Sequence, residues 1–177
     1  MAGSLDRFGL GPDELAARHP GLVVVYLDAW GHTGPWAGRR GFDSVVQAAT
    51  GIATKESQDG VAPGALPCQL LDHGTGYLAA AAVLDGWRRQ SDGGGTHIRR
   101  LSLARTALWL LASAQSDQAP AGVAAGRRDA TPSLVQFEDQ TGAVEAVGPP
   151  GRLGGLTLTW TSPPARYLAD QPLWAER

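Results

Sequence analysis

Asp72 is the residue best placed for chemistry. It stands with His73, Gly74 and Gly76 in the stretch PCQLLDHGTGYLAAAAVLDGWRRQ, Pro67 to Gln90, at the head of an alanine- and leucine-rich run ending in Arg88 and Arg89. Alanine and leucine favour helix, and cations are favoured beside a helix's last carbonyls, so the stretch predicts a buried helix with a carboxylate at its start. Aspartate is also a preferred N-cap residue, which gives Asp72 a purely structural reading as the acceptor of first-turn N–H bonds. His73 is either a local hydrogen-bonding residue or an acid/base group able to titrate near neutrality. The four histidines, at 19, 32, 73 and 97, have no metal-ligand spacing with the single Cys68, so no metal is expected. Gly93 to Gly95 lack the lysine and Ser/Thr of a phosphate-binding P-loop.

The 177 residues, 43% hydrophobic and 18% charged, are enough for one folded unit with a core. A formal net charge of −2 and a pI near 6.0 leave no electrostatic footprint for nucleic acid or for an anionic membrane. One cysteine excludes an internal disulfide framework, and a cytoplasmic location is expected. No apolar run reaches the roughly 18 residues of a membrane span, and the N-terminus has no secretory-signal pattern. Twenty-four glycines and twelve prolines predict a loop-rich chain.

The elements that must hold Asp72 follow in order. Gly11-Pro12-Asp13-Glu14 to Arg18 predicts a short helix, stopping before Pro20. Leu22 to Leu27 is a continuous β-branched run, expected as a parallel-sheet strand buried on both faces. The turn-rich segment from Ala29 to Gly41 leaves the C-terminal end of that strand, where ligands bind in open α/β sheets. Phe42 to Thr50 predicts an amphipathic helix with Gly51 as its C-cap, and a flexible stretch from Ile52 to Ala65 follows. Beyond the central helix, Ser91 to Gly95 predicts a turn and His97 to Leu101 a strand. Ser102 should cap an apolar helix from Leu103 to about Ala114, buried or awaiting a partner. Gln115 to Thr131 reads as linker, Leu134 to Phe137, Ala143 to Val147 and Leu156 to Trp160 as short strands. The tail is extended, with Tyr167 and Trp174 as anchors.

The order LDRFGLGPDELAARHPGLVVV, AWGHTGPWAGRRGFDSVVQAATG, LLDHGTGYLAAAAVLDGWRRQSDGGG and a strand running into SLARTAL resembles the central part of the class III CoA-transferases, the CaiB/BaiF family, over roughly Gly3 to Ala114. The resemblance implies an α/β fold: a partial, Rossmann-related, three-layer large domain with an extended C-terminal tail. Residues 1–114 would form the family core, 115–132 a linker or small-domain remnant, and 133–177 short β segments and the tail. Asp72, in LDHGTG, matches the family's nucleophile, which attacks an acyl-CoA thioester to form a mixed anhydride and then carries CoA as an aspartyl thioester. A carboxylate suits this role because it is ionised at neutral pH and its anhydride is readily split again. Arg7, in GSLDRFG, matches an arginine that contacts the nucleotide part of CoA, guanidinium being a natural partner of phosphate. Gly31, Gly34 and Pro35 match the G-x-x-G-P loop beside the thioester, although glycine and proline also simply mark turns. Coenzyme A or acyl-CoA is thus the implied substrate with a carboxylic acid, and no metal is implied.

The family also contains α-methylacyl-CoA racemases, which need a second proton-transfer group. Where racemases carry histidine before aspartate, this chain reads Gly41-Phe42-Asp43, and phenylalanine cannot transfer a proton. Asp28 stands where some relatives carry lysine, and it would repel CoA phosphate if close. Family members are about twice this length and begin with a nucleotide-binding half that has no counterpart here. A homodimer, or a hetero-oligomer with a chain supplying that half, is therefore expected. The alternative is a non-catalytic remnant serving as an assembly subunit.

Overall fold

A helix leaves the N–H of its first residue unused, and Pro12, which has none, opens α1 (Pro12–Arg18) as predicted. In the computed structural model, which describes residues 3–113, 131–139, 142–163, 165 and 173, this helix leads into β1 (Val23–Asp28). β1 pairs in parallel with β2 (His97–Ser102), from Val23 opposite His97 to Asp28 opposite Ser102. Parallel neighbours need a long crossover, and it contains α2 (Asp43–Ala49), α3 (Ile52–Lys55) and the 24-residue α4 (Leu70–Gly93), which packs on both strands. Following β2 directly is α5 (Leu103–Ser113), with Ser102 Oγ accepting the Arg105 N–H at 3.2 Å as the predicted cap. The α/β class is borne out.

The buried core joins Ala29, Val46, Ile52, Leu71, Leu103 and Ala107, with Trp30 and Leu66 against it. Thr75 and Thr106 satisfy each other inside it, Oγ1 to Oγ1 at 2.7 Å, tying α4 to α5. α4 lies so close to β1 that a Cβ at Gly86 would come within 2.6 Å of Val23 Cγ1. Only glycine permits that approach.

Several expectations are corrected here. β1 is not buried on both faces: Val24 and Asp28 are buried, while Leu27 is 50% exposed. Among the described residues its sheet has two strands, so there is less to cover it than a wide parallel sheet provides. α4 is not a buried helix either; only Leu71, Thr75 and Gly86 are buried, and Tyr77, Leu84 and Trp87 are exposed. It runs past Arg88 and Arg89 through Ser91 to Gly93 because those arginines are satisfied by Asp85 and Asp92 on the same helix rather than by terminal carbonyls. Ile52 to Ala65 is not all loop, since Ile52 anchors α3 in the core. Thr50 is the C-cap of α2, with Gly51 just beyond it in the left-handed region.

Asp85 gathers Arg89 Nε at 2.8 Å, Arg99 Nη2 at 2.9 Å and Arg88 Nη2 at 3.4 Å, linking α4 to β2. Arg99 first, then Arg89, hold its carboxyl well below the usual carboxylate range. A carboxylate whose folded pKa is depressed stabilises above its unfolded pKa and loses that contribution as pH falls through the folded value. Asp85→Asn should therefore lower the melting temperature at neutral pH. The gap to the unmodified protein should close as pH falls below the ordinary 3.8, which a pH series of thermal melts checks.

The chain forms two compact units, Met1–Pro120 and Ala121–Arg177. In the second unit β3 (Leu134–Asp139) and β4 (Gly142–Val147) pair antiparallel, with Gln136 Nε2 donating to Glu145 Oε2 at 2.7 Å. β5 (Arg152–Leu153) and β6 (Leu156–Thr157) form a small hairpin, shorter than the predicted strand to Trp160, whose Nε1 donates to the Val147 carbonyl at 2.8 Å. The predicted linker from Gln115 and the anchors Tyr167 and Trp174 lie outside the described residues.

Candidate active site

The first turn of a helix has N–H groups with no partner inside the helix, and at α4 their satisfaction shapes the site. Gln69 occupies the N-cap position without a side-chain hydrogen bond, and Asp72 is the third helical residue. Asp72 is therefore not the N-cap. Its own N–H is the capped group, donating at 2.9 Å to Oδ2 of Asp43 from α2. With that duty taken by another residue, the exposed Asp72 side chain is free of the capping role. It also sits in the helix's first turn, where the macrodipole favours negative charge. His73 is exposed beside it.

Asp43 is completely buried. Its second oxygen, Oδ1, accepts from Gln47 Nε2 one turn along α2, and Gln47 Oε1 accepts the Leu66 N–H at 2.9 Å. A buried carboxylate is costly unless hydrogen-bonded, and this one has a donor on each oxygen and stands in the first turn of its own helix.

Arg7 lies in a 3-10 turn, Asp6–Phe8, with its guanidinium 4.6 Å from the Phe8 ring centroid. It lines an open cleft of about 450 Å3 with Gly3, Ser4, Arg40, Gly41 and Phe42. Two arginines thus face one hollow whose far wall, Gly41-Phe42, runs straight into Asp43 and hence to the start of α4. Asp72 is not among the residues lining this cleft. Gly31, Gly34 and Pro35 lie in the loop after β1 and are not among the residues lining the cleft. That loop is pinned at its base by Trp30 Nε1 donating to the Arg40 carbonyl at 3.1 Å and by Trp30 meeting Trp36 edge to face at 4.7 Å between centroids. Gly31 and Gly34 adopt φ of 96° and 90°, with open space where a Cβ would sit. Asp28 is buried, and its Oδ1 accepts the Gly31 N–H, so it shapes the start of the loop.

Arg40 and Gln47 were not singled out in the sequence, and Asp43 entered only as the aspartate that follows Phe42. An Asp and a Gln four apart on a helix carrying Val46 are a visible signal, but the contact to Asp72, 29 residues on, is not local. A second, more apolar hollow of about 490 Å3 between β2 and α5, bordered by Leu101, Leu108 and Trp109, contains none of the predicted site residues. Among the described residues no group of three or more His, Cys, Asp or Glu could hold a metal, and no helix is long and apolar enough to cross a membrane.

The described core is thus an α/β unit with an exposed aspartate in the first turn of its longest helix and a separate cleft lined by two arginines. The sequence profile of CoA-transferase family III matches residues 1–161, and the chain belongs to that family. A probable fatty acyl-CoA transferase of Mycobacterium tuberculosis is 33% identical over 111 residues, 63% of this chain and 28% of the relative. The beta subunit of a succinyl-CoA–L-malate CoA-transferase from Chloroflexus aurantiacus is 34% identical over 100 residues, 54% of this chain and 24% of that subunit. Among solved structures, a hypothetical protein of M. tuberculosis superposes with a TM-score of 0.58 at 33% identity, covering 63% of this chain and 32% of that one. A CaiB/BaiF family protein from Brucella suis, 23% identical, shares the fold with a TM-score of 0.58, covering 80% of this chain and 38% of its own. The chain thus matches well under half the length of these relatives.

Proposed function

We propose that this chain contributes the nucleophile of a class III CoA-transferase, and that Asp72 is that nucleophile. The observation that carries this is the freed carboxylate: Asp72 is exposed in the first turn of α4 while the buried Asp43 caps its backbone. Family membership supplies the substrate class, an acyl-CoA and an acceptor carboxylic acid. A carboxylate oxygen of Asp72 attacks the thioester carbonyl, the C–S bond breaks, and CoA leaves as the thiolate. The thiolate then attacks the aspartyl carbonyl of the mixed anhydride and expels the donor acid as a carboxylate, leaving CoA on Asp72. The acceptor carboxylate displaces CoA to form a second anhydride, and thiolate attack on its acyl carbonyl releases the new acyl-CoA and regenerates Asp72. Each step exchanges one anion for another, so no proton donor is required.

In this reading Arg7 and Arg40 supply fixed positive charge for CoA phosphates in the cleft they line, and the Gly31, Gly34 and Pro35 loop is assigned to the thioester by its match to the family's G-x-x-G-P loop alone. The remaining walls of the site come from further polypeptide, either a second copy or a chain carrying the rest of the relatives' length. A racemase is disfavoured because Phe42, 75% exposed, offers no proton-transfer group.

The test is intact mass after incubation with an acyl-CoA, with hydroxylamine added to trap the activated aspartate as a hydroxamate. A hydroxamate mapped to Asp72 is expected. No adduct on a folded chain would overturn catalysis by this chain alone, leaving a chain that reacts only with its missing portion supplied or the non-catalytic alternative.

A further inference from the structure

Asp43 is a fully buried carboxylate that takes no part in the exchange steps above. The polarity of its hydrogen bonds is dictated at both ends by backbone groups that can only donate. At one end the Leu66 N–H requires an oxygen, so Gln47 turns Oε1 to it and Nε2 toward Asp43. At the other end the Asp72 N–H requires an oxygen as well. The residue between must therefore accept on both sides, which a carboxylate does and an amide does not. A single run of bonds thus joins the chain before α4, the middle of α2 and the nucleophile's backbone.

We propose that Asp43 is a positioning residue for the reaction, holding the first turn of α4 so that the Asp72 carboxylate meets the thioester in one geometry, with Gln47 fixing which way Asp43 accepts. This rests on Asp72 being the nucleophile. Misplacing a reacting group by about 1 Å costs on the order of 100-fold in rate, so the effect falls on adduct formation rather than on CoA binding.

Asp43→Asn has one oxygen for two donors: turned to keep Gln47 Nε2 it sets its own N–H against the Asp72 N–H, and turned the other way it clashes with Gln47 and loosens the residue that holds the turn, so the run breaks in either orientation. Asp43→Asn combined with Gln47→Glu restores it, because the asparagine donates to the glutamate, which still accepts from Leu66, while the asparagine oxygen still accepts from Asp72. The single variant should form the Asp72 adduct about 100-fold more slowly in single-turnover experiments, with CoA affinity within about twofold. Its Asp72 amide should lose hydrogen-exchange protection. The double variant should regain that protection and come within about tenfold of the unmodified rate. Should the single variant not fold, the double variant carries the test alone through the same rate and protection. A folded single variant with unmodified adduct rate overturns the proposal, as does a double variant that regains protection yet stays about 100-fold slow. If the unmodified chain forms no adduct, it is catalysis by this chain alone that fails, separately from the positioning role. The exchange measurement then still decides whether Asp43 holds this turn: protection lost and regained supports it, and protection unchanged in Asp43→Asn overturns it.

Discussion

Asp72→Asn should abolish the trapped adduct while leaving the protein folded. Removing an enzyme's covalent nucleophile costs on the order of 10,000-fold or more in turnover, far beyond what a lost surface charge does. The structure separates that effect from stability. The Asp72 side chain is exposed, and the helix start is capped by Asp43 through the backbone of residue 72, which asparagine keeps. The remaining loss is a carboxylate's interaction with the helix dipole, about 0.3–1 kcal/mol. Intact-mass trapping and a thermal melt on the same preparation read both effects. A trapped adduct in this variant would remove Asp72 from the mechanism, and a collapsed melt would mean that its side chain supports the fold.

The neighbouring residue should behave in the opposite way. Leu71 is completely buried among Ala29, Val46, Ile52, Leu103 and Ala107. Leu71→Ala should cost about 2–5 kcal/mol by loss of burial and the cavity left behind. Urea unfolding followed by far-UV circular dichroism measures it, and a loss below about 1 kcal/mol would show that the site collapses around the smaller side chain. Two adjacent positions thus divide the labour at the head of α4: one fixes the helix to the core and the next presents its carboxylate to solvent.

Much of this was legible before the structure. Pro12, the β-branched run into β1, and Ser102 before an apolar segment are local signals, and each produced the expected element. The order of segments also led to the family that the profile match shows. Asp72 was visible as a carboxylate at a helix start, yet its cap was assigned to the wrong side chain, because a cap contributed from 29 residues away leaves no local trace. The part Asp28 plays in the loop was not legible for a related reason: charge is read from the sequence, but burial and a bond to Gly31 N–H are properties of the folded turn. The length of α4 was underestimated because Arg88 and Arg89 resemble a C-terminal signal and are instead partners of Asp85 and Asp92. The apolar residues of α4 were expected inside, whereas Tyr77 and Trp87 are largely exposed; for α5 the sequence left burial or a partner open, and Leu108 and Trp109 are largely exposed. Composition reports how much apolar surface a chain carries, not whether enough neighbouring chain is present to cover it.

The parallel pairing of β1 with β2 also sets when the sheet can form. The Gly21 N–H donates to Thr96 Oγ1 at 2.9 Å across a separation of 75 residues, just outside the first ladder pair. Closing a loop of that length costs about 4 kcal/mol of chain entropy before any ladder bond repays it. No local hairpin can form this ladder, because the whole crossover from α2 to α4 lies between β1 and β2. The pairing is non-local, of the kind that slows folding because chain entropy is lost before the ladder bonds are made.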